Sequence, residues 1–184
     1  MTNRPIVPHQ IRKGFEGRMF SVDVESITLP RGERLDAEIV RHPGSAVIIP
    51  VTAEGAVVLV RQYRPAIGRH AWELPAGSLK VGEDTRTAAA RECQEEIGLV
   101  PSTLEYLGGF FPTPGYCDEE MHFYLATGLR ERIDGDPAVR QDEDEDIETQ
   151  AFSFDEVRAM IVGGAIVDLK TVAGLALRVA HRRQ

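Results

Sequence analysis

Hydrophobic and polar residues alternate near the start of the chain in a way that predicts an antiparallel hairpin. Phe20, Val22 and Val24 alternate with polar residues, and the alternation resumes after a turn at residues 29–32. Successive side chains of a strand point to opposite faces of the sheet, so this pattern is typical of strands with one buried face. The sequence therefore predicts an N-terminal hairpin within residues 1–43.

The rest of the pattern predicts strands mixed with three helices. Residues 84–97 lack Pro and Gly and are rich in Ala, Arg and Glu, which predicts a helix that ends at Gly98. Ser153 and Glu156 have the spacing of a capping box at the start of a second helix. Strands are predicted at 45–51, 55–64, the WELPAG segment, 104–111, 121–126 and before the capping box, and a last helix is predicted from about Asp168.

The last predicted helix carries apolar residues at helical spacing. Leu169, Val172, Ala176 and Val179 fall on one side, so we expect that side to be buried. Strands and helices do not alternate regularly along the chain. The pattern therefore indicates an α+β or mixed α/β sandwich.

Composition and charge exclude several classes of protein. The 184 residues are 42% hydrophobic and carry a formal net charge of -8. A disordered chain would have fewer large apolar residues, and a domain that binds duplex DNA would normally be basic. The apolar runs are too short to cross a bilayer, and the start lacks a signal-peptide run. We expect a soluble cytoplasmic protein that binds neither nucleic acid nor membrane.

Three glutamates of the first predicted helix share one sector of its surface. Glu92, Glu95 and Glu96 are spaced i, i+3 and i+4. Such a cluster is typical of a solvated helix face, but like charges at this spacing repel, and a bound cation would offset the repulsion. Oxygen ligands of this kind suit Mg²⁺ or Mn²⁺ and not zinc.

The surrounding residues decide between a solvated face and a metal site. The segment GSLKVGEDTRTAAARECQEEIGL follows the Nudix box, G-x5-E-x7-R-E-U-x-E-E-x-G-U. Seven fixed positions would match by chance on the order of 10⁻⁸ per window. One position departs from the pattern: Cys93 stands where the family usually has Ile, Leu or Val, and a buried cysteine packs as a small hydrophobe. The chain thus resembles the Nudix hydrolases.

The resemblance implies a fold and a domain organisation. The implied fold is the Nudix α/β/α sandwich with a mixed sheet, extended here by the N-terminal antiparallel hairpin. A single Nudix hydrolase domain would cover residues 1–184, with a dimerisation element at 1–43 and a catalytic core at 44–184. We accordingly expect a homodimer.

The resemblance also implies metal and phosphate ligands. Pyrophosphate is anionic, so a carboxylate site engages it only through metal ions. Arg64 stands where ADP-ribose pyrophosphatases carry an arginine, and guanidinium pairs bidentately with phosphate. Glu95 is implied in catalysis as well as in metal binding. The implied ligands of Mg²⁺ or Mn²⁺ are the backbone carbonyl of Ala76 and the carboxylates of Glu92, Glu95 and Glu96.

Segments outside the box resemble the ADP-ribose pyrophosphatases. TPGYCDEEMHFYLATGL is similar to their PG-x-x-x-E loop, in which Glu119 matches the residue that contacts the terminal ribose. QDEDEDIE is similar to their catalytic loop, and the alignment puts Glu143 at the base and Glu145 at a second carboxylate near the metals. The choice of base among Glu143, Asp144 and Glu145 stays open. Phe20 falls where related enzymes contact adenine.

The implied activity is hydrolysis of ADP-ribose, a small nucleoside diphosphate sugar, to AMP and ribose 5-phosphate. The box residues recognise only pyrophosphate and metal. Hydrolysis of another nucleoside diphosphate sugar, for example GDP-mannose, therefore stays open as an alternative. A noncatalytic module that senses ADP-ribose is a second alternative, but such modules typically lose box glutamates, which are intact here. Hydrolysis of oxidised nucleoside triphosphates fits the PG-x-x-x-E loop and the C-terminal helices less well.

Overall fold

The computed structural model describes residues 6–136 and 147–181. The chain forms two compact units. The first contains Met1–Gly44 and Phe111–Glu120, and the second contains Ser45–Phe110 and Met121–Gln184. That the segment following residue 110 belongs to the N-terminal unit is a feature that the sequence pattern did not predict.

The first unit is built on a three-stranded antiparallel sheet of β1 (Gln10–Glu16), β2 (Ser21–Thr28) and β3 (Arg34–Arg41), in the order β1-β2-β3. Strands β2 and β3 are the predicted hairpin, which is confirmed. Strand β1 was not predicted, because only Ile11 and Phe15 are large apolar residues in it and all seven residues are exposed.

The second unit contains two sheets and three helices. One sheet has the order β7-β4-β9-β8, with β4 parallel to β9 and the other pairs antiparallel, and the other sheet has the antiparallel order β10-β5-β6. This mixed pairing confirms the predicted fold class. The elements are β4 (Ser45–Pro50), β5 (Val57–Arg64), a 3₁₀ turn (Pro65–Ile67), β6 (Arg69–Glu73), β7 (Ala76–Ser78), α1 (Thr85–Ile97), β8 (Leu99–Phe110), β9 (Met121–Glu131), β10 (Glu148–Phe152), α2 (Phe154–Val162) and α3 (Leu169–His181).

Strand β4 is buried on both faces and separates two parts of the core. Val47 and Ile49 belong to a cluster that includes residues of α2 and α3, whereas Ala46 and Ile48 belong to a cluster with residues of α1. Because side chains alternate along a strand, the two clusters lie on opposite faces. Helices therefore cover both faces of the sheet, as the α/β/α sandwich requires.

Helix α1 begins and ends where the sequence predicts. Asp84 is its N-cap and accepts hydrogen bonds from the backbone N–H groups of Arg86 and Thr87, each at 3.1 Å. Gly98 ends the helix in the left-handed conformation, with φ of 70°. The capping box of Ser153 and Glu156 is also present, at the start of α2.

The predicted buried side of the last helix is wrong. Leu169 is 66% exposed, and the buried residues of α3 are Thr171, Gly174, Leu175 and Arg178. Gly174 decides this orientation, since a Cβ built on it would lie 2.5 Å from Leu74 Cδ1 and 3.3 Å from Ile49 Cγ1. The helix packs on the sheet at Gly174. The prediction followed the number of large apolar residues on each side, which favoured the opposite side.

The strand predicted at 104–111 begins earlier, because β8 starts at Leu99 and includes Pro101. Strand β8 lies at the edge of its sheet, where a proline is tolerated because the missing N–H is not needed by a second neighbour. Among the residues described, no helix is both long and apolar enough to span a membrane.

Candidate active site

Arg91 holds together the acidic residues of the Nudix box. Its Nε and Nη2 donate to the two carboxylate oxygens of Glu83 at 2.8 and 2.9 Å. Its Nη1 lies 2.5 Å from Glu92 Oε1 and 2.5 Å from Glu95 Oε2. The repulsion expected between the helix glutamates is therefore offset by an arginine of the same helix.

This arrangement shifts the pKa values of both central partners. Hydrogen bonds from Arg91 outweigh the effect of burial and, with the Lys80 backbone N–H, lower the pKa of Glu83 from 4.5 to about 2. The hydrogen bond to Glu83 and the charge of Glu92 raise the pKa of Arg91 above its ordinary value, against the effect of burial. The loop that precedes α1 is thus tied to the helix by a strongly ionised pair.

Two of the three helix glutamates are buried. Glu92 is 7% exposed and Glu96 is 5% exposed, which excludes a simple solvated face. Glu96 Oε2 accepts a hydrogen bond from the backbone N–H of Ala76 at 3.0 Å. A Cβ built on Gly77 would overlap the carboxylate of Glu92. The box requires glycine at this position for space, because any side chain would displace a glutamate.

The donor set of this site fits a hard divalent cation. Its groups are carboxylate oxygens in partly buried surroundings, and the guanidinium of Arg91 already lies between Glu92 and Glu95 as a positive charge. Among residues 6–136 and 147–181, no three His, Cys, Asp or Glu side chains form a ready metal cluster. Glu92 and Glu95 are turned to Arg91, and Glu96 is turned to the Ala76 amide, which accounts for this.

Arg64, at the end of β5, makes a bidentate ion pair with Glu73 at the end of β6. The distances are 2.9 Å from Nε to Oε1 and 2.7 Å from Nη2 to Oε2. This hydrogen-bonded pairing raises the pKa of Arg64 against the effect of burial, and the charges of Glu73, Glu96 and Asp168 add to it. Arg64 and the box glutamates belong to the same compact unit.

Sequence reasoning missed Glu73 and its second cationic partner, Lys170. Burial disfavours ionisation of Glu73, but hydrogen bonding to Arg64 and the charge of Lys170 outweigh it and hold the pKa of Glu73 below its ordinary value. One signal was available in the sequence, since each of these charged residues lies inside an apolar segment, WELPAG and AIVDLKTVAGLAL. A buried charge requires a partner of opposite sign.

Glu119 and Phe20 belong to the first unit. The carboxylate of Glu119 lies 3.7 Å from His42 Nδ1, and its backbone N–H donates to Cys117 Sγ at 3.4 Å. Phe20 is exposed, and its ring centroid lies 5.7 Å from that of Phe15. The predicted catalytic carboxylates Glu143 and Glu145 lie outside the described residues.

The loop that carries Glu119 is fastened to strand β3. Arg41 donates to the Asp118 carboxylate at 2.9 Å and to that of Asp23 at 3.1 Å, and it also pairs with Glu25. The backbone of Val40 exchanges hydrogen bonds with the loop at Tyr116 and Asp118. This unit thus presents Glu119 from an anchored loop.

Comparison with known proteins gives a consistent family. The NUDIX domain pattern matches residues 41–171. An ADP-ribose pyrophosphatase of Mycobacterium tuberculosis (strain ATCC 25618 / H37Rv) is 37% identical over 160 residues, covering 86% of this chain and 76% of that protein. A methanol dehydrogenase activator of Bacillus methanolicus is 39% identical over 158 residues, covering 86% of this chain and 84% of the relative.

A solved structure shares the fold. The crystal structure of an ADP compounds hydrolase superposes with a TM-score of 0.83 at 18% sequence identity, covering 100% of this chain and 97% of that one. At this identity the likeness concerns the fold, and the domain match and the sequence relatives carry the family. From the box, the fold and these matches together, the chain belongs to the Nudix family of hydrolases.

Proposed function

We propose that this protein hydrolyses ADP-ribose to AMP and ribose 5-phosphate. The observation that carries the proposal is the presence of the complete Nudix box and Arg64 in one compact unit. The likeness to the ADP-ribose pyrophosphatase supports the choice of substrate. Water attacks one phosphorus of the diphosphate, and the bond from that phosphorus to the bridging oxygen breaks.

The proposed cofactor is Mg²⁺, with Mn²⁺ as a substitute. Glu92, Glu95 and Glu96 would hold it together with the carbonyl of Ala76. When bound, the metal supplies positive charge that stabilises the attacking and leaving oxygens. Arg91 donates hydrogen bonds to the carboxylates of both Glu92 and Glu95, so one residue orients two of the proposed metal ligands.

The remaining roles divide among binding and proton transfer. Arg64 binds a phosphate oxygen, Glu119 accepts hydrogen bonds from the terminal ribose, and Phe20 stacks on adenine. Glu143 removes a proton from the attacking water, and Glu145 supports the metal site from the same acidic run. The concentration of acidic residues around Glu143 and Glu145 supports their proposed roles, because six of the 29 acidic residues fall within residues 142–148.

We also propose that the protein acts as a cytoplasmic homodimer that pairs through its N-terminal sheet. Strand β1 and the turn after it expose several large apolar side chains, and such clusters mark interaction surfaces on soluble proteins. The exposed residues are Ile11, Phe15, Met19 and Phe20.

The test is a panel of substrates at equal concentration with Mg²⁺. The panel contains ADP-ribose, GDP-mannose, NAD⁺ and an oxidised nucleoside triphosphate, and products are identified by chromatography. We expect AMP to form fastest from ADP-ribose, and a Glu95→Gln variant to lose turnover by about 10²-fold or more. Faster GMP formation from GDP-mannose, or faster cleavage of another compound, would replace the proposed substrate. Binding without any turnover would establish a sensor.

A further inference from the structure

Two partly buried charged residues, Lys170 and Asp168, extend the ion pair of Arg64 and Glu73, and the roles proposed above do not use them. Glu73 is 3% exposed, and both of its oxygens are bound by Arg64. Lys170 Nζ also pairs with Glu73 Oε2 and lies 3.0 Å from Asp168 Oδ2. The side chain of Lys170 is 8% exposed, so this lysine is held inside the protein.

The cluster links the start of α3 to the strand that carries Glu73. Asp168 Oδ2 accepts hydrogen bonds from the backbone N–H and the hydroxyl of Thr171, at 3.0 and 2.6 Å. The same hydroxyl accepts a hydrogen bond from the backbone N–H of Leu74 at 2.8 Å. Lys170 therefore lies between Glu73, which Arg64 binds, and Asp168, which Thr171 binds. The packing of α3 sets the position of Lys170.

The strand geometry leaves the Arg64 guanidinium dependent on Glu73 for its direction. Strands β5 and β6 pair antiparallel, with Arg64 opposite Arg69. Because side chains alternate, Arg64 and Glu73 share a face, with the small side chain of Ala71 between Arg69 and Glu73 on that face. Arg64 runs back along the sheet to reach Glu73, and a movement of this carboxylate would redirect the guanidinium.

The ion pair with Glu73 occupies one edge of the Arg64 guanidinium, and the other edge takes no part in it. Nε and Nη2 bind Glu73, and within the described residues Nη1 makes no hydrogen bond. The side chain of Arg64 is 40% exposed, so it is accessible to an anion from solvent.

Charge balance gives Lys170 a role in this cluster. Glu73 and Asp168 together carry two negative charges, and Lys170 lies between them. Without Lys170, Arg64 would be the only cation of the cluster beside the carboxylates of Glu73 and Asp168. The cluster would then carry a net negative charge, which disfavours an incoming phosphate. With Lys170, the carboxylates of Glu73 and Asp168 are balanced by two cations, so these four residues together carry no net negative charge.

We propose that Lys170 is a positioning residue for phosphate recognition: it holds Glu73 from α3 and so aims the free edge of Arg64 at the substrate diphosphate. This inference rests on the proposed function of Arg64. The competing interpretation is a purely structural ion cluster. Loss of stability alone does not separate the two, because removal of one partner from a buried ion pair is destabilising in either case.

The test is a double-mutant cycle of Lys170→Met and Arg64→Met, with KM and kcat for ADP-ribose measured well below the unfolding temperature. We expect Lys170→Met alone to raise KM about tenfold while kcat stays within about threefold. In the Arg64→Met background, the same change should alter KM by less than about twofold, because the residue through which Lys170 acts is already gone.

Two further variants complete the design. Lys170→Arg keeps the cation and should bring KM back to within about threefold of the unsubstituted protein. Arg158→Met removes an exposed cation from the neighbouring helix α2 and should leave KM unchanged. An unchanged KM in Lys170→Met, or an equal rise of KM in both backgrounds, would overturn the inference.

A binding measurement separates this inference from the proposed function. The affinity of each variant for ADP, in the presence of Mg²⁺, is measured by calorimetry. If the unsubstituted protein does not hydrolyse ADP-ribose, the proposed function fails. The positioning role of Lys170 would still be supported if Lys170→Met lowers the affinity for ADP only when Arg64 is present. Equal ADP affinity with and without Lys170 would contradict it.

Discussion

Arg91 and Glu83 are joined by two hydrogen bonds of 2.8 and 2.9 Å, and this pair links helix α1 to the loop that precedes it. The loop contains Gly82, in the left-handed region with φ of 75°, and Glu83 also accepts a hydrogen bond from the Lys80 backbone N–H. Residues of the box itself thus hold its loop against helix α1.

The first prediction concerns stability and pH at this pair. The folded-state pKa of Glu83 is depressed from 4.5 to about 2, so its ionised form stabilises the fold above pH 4.5, and this contribution is lost as the pH falls towards 2. Glu83→Gln should lower the free energy of unfolding by about 1.5–3 kcal/mol at neutral pH. The difference from the unsubstituted protein should shrink below about pH 4.5 in urea titrations.

Glu33→Gln is the matched control for this titration, since Glu33 is exposed in the turn between β2 and β3. It should change stability by less than about 0.5 kcal/mol at any pH. A stability difference for Glu83→Gln that stays constant from neutral to acid pH would contradict the assignment.

A second prediction concerns the space between Gly77 and Glu92. Gly77→Ala places a methyl group where the Glu92 carboxylate lies, and it should lower the free energy of unfolding by about 1–3 kcal/mol. In a Glu92→Ala background the overlap is removed, and the same change should cost less than about 1 kcal/mol. An equal penalty in both backgrounds would mean that the backbone at Gly77, and not the glutamate, forbids a side chain.

Helix α1 illustrates what the sequence predicts well. Its start and end depend on neighbours in the chain, Asp84 at the N-cap and Gly98 at the C-cap, and the box glutamates follow from helical spacing alone. The hairpin of β2 and β3 was predicted for the same reason, because alternation and turn lie within one short stretch. Local rules are sufficient when the interacting residues are close in sequence.

Lys170 and strand β1 illustrate what local rules leave out. Lys170 meets Glu73 across 97 residues of sequence, so only the tertiary fold brings the two together. The side of α3 that packs on the sheet was predicted wrongly because Gly174 gives the closest approach while contributing no hydrophobic surface. Strand β1 carries no alternation because it is exposed along its whole length.

A third prediction concerns the proposed dimer. Phe15→Ser removes an exposed ring that packs beside Phe20, and it should shift the protein from dimer to monomer at micromolar concentration, as measured by light scattering after gel filtration. Val81→Ser is the control, since Val81 is fully exposed in a turn of the second unit. A monomeric unsubstituted protein would contradict the proposed assembly.

A fourth prediction concerns the acidic run. Glu143→Gln should lower kcat by about 10²-fold or more while KM changes by less than about threefold, because a general base acts after the substrate is bound. Asp144→Asn is its matched neighbour and should lower kcat by less than about threefold. If the larger loss falls on Asp144→Asn or on Glu145→Gln, the base is that residue and not Glu143.

Cleavage of the diphosphate of ADP-ribose can be followed by ³¹P NMR of the reaction mixture. With Mg²⁺ present, we predict that the two diphosphate resonances disappear together and are replaced by two phosphomonoester resonances, those of AMP and ribose 5-phosphate, and that excess chelator stops the change. Diphosphate resonances that persist with folded protein and Mg²⁺ would show that the protein does not hydrolyse ADP-ribose.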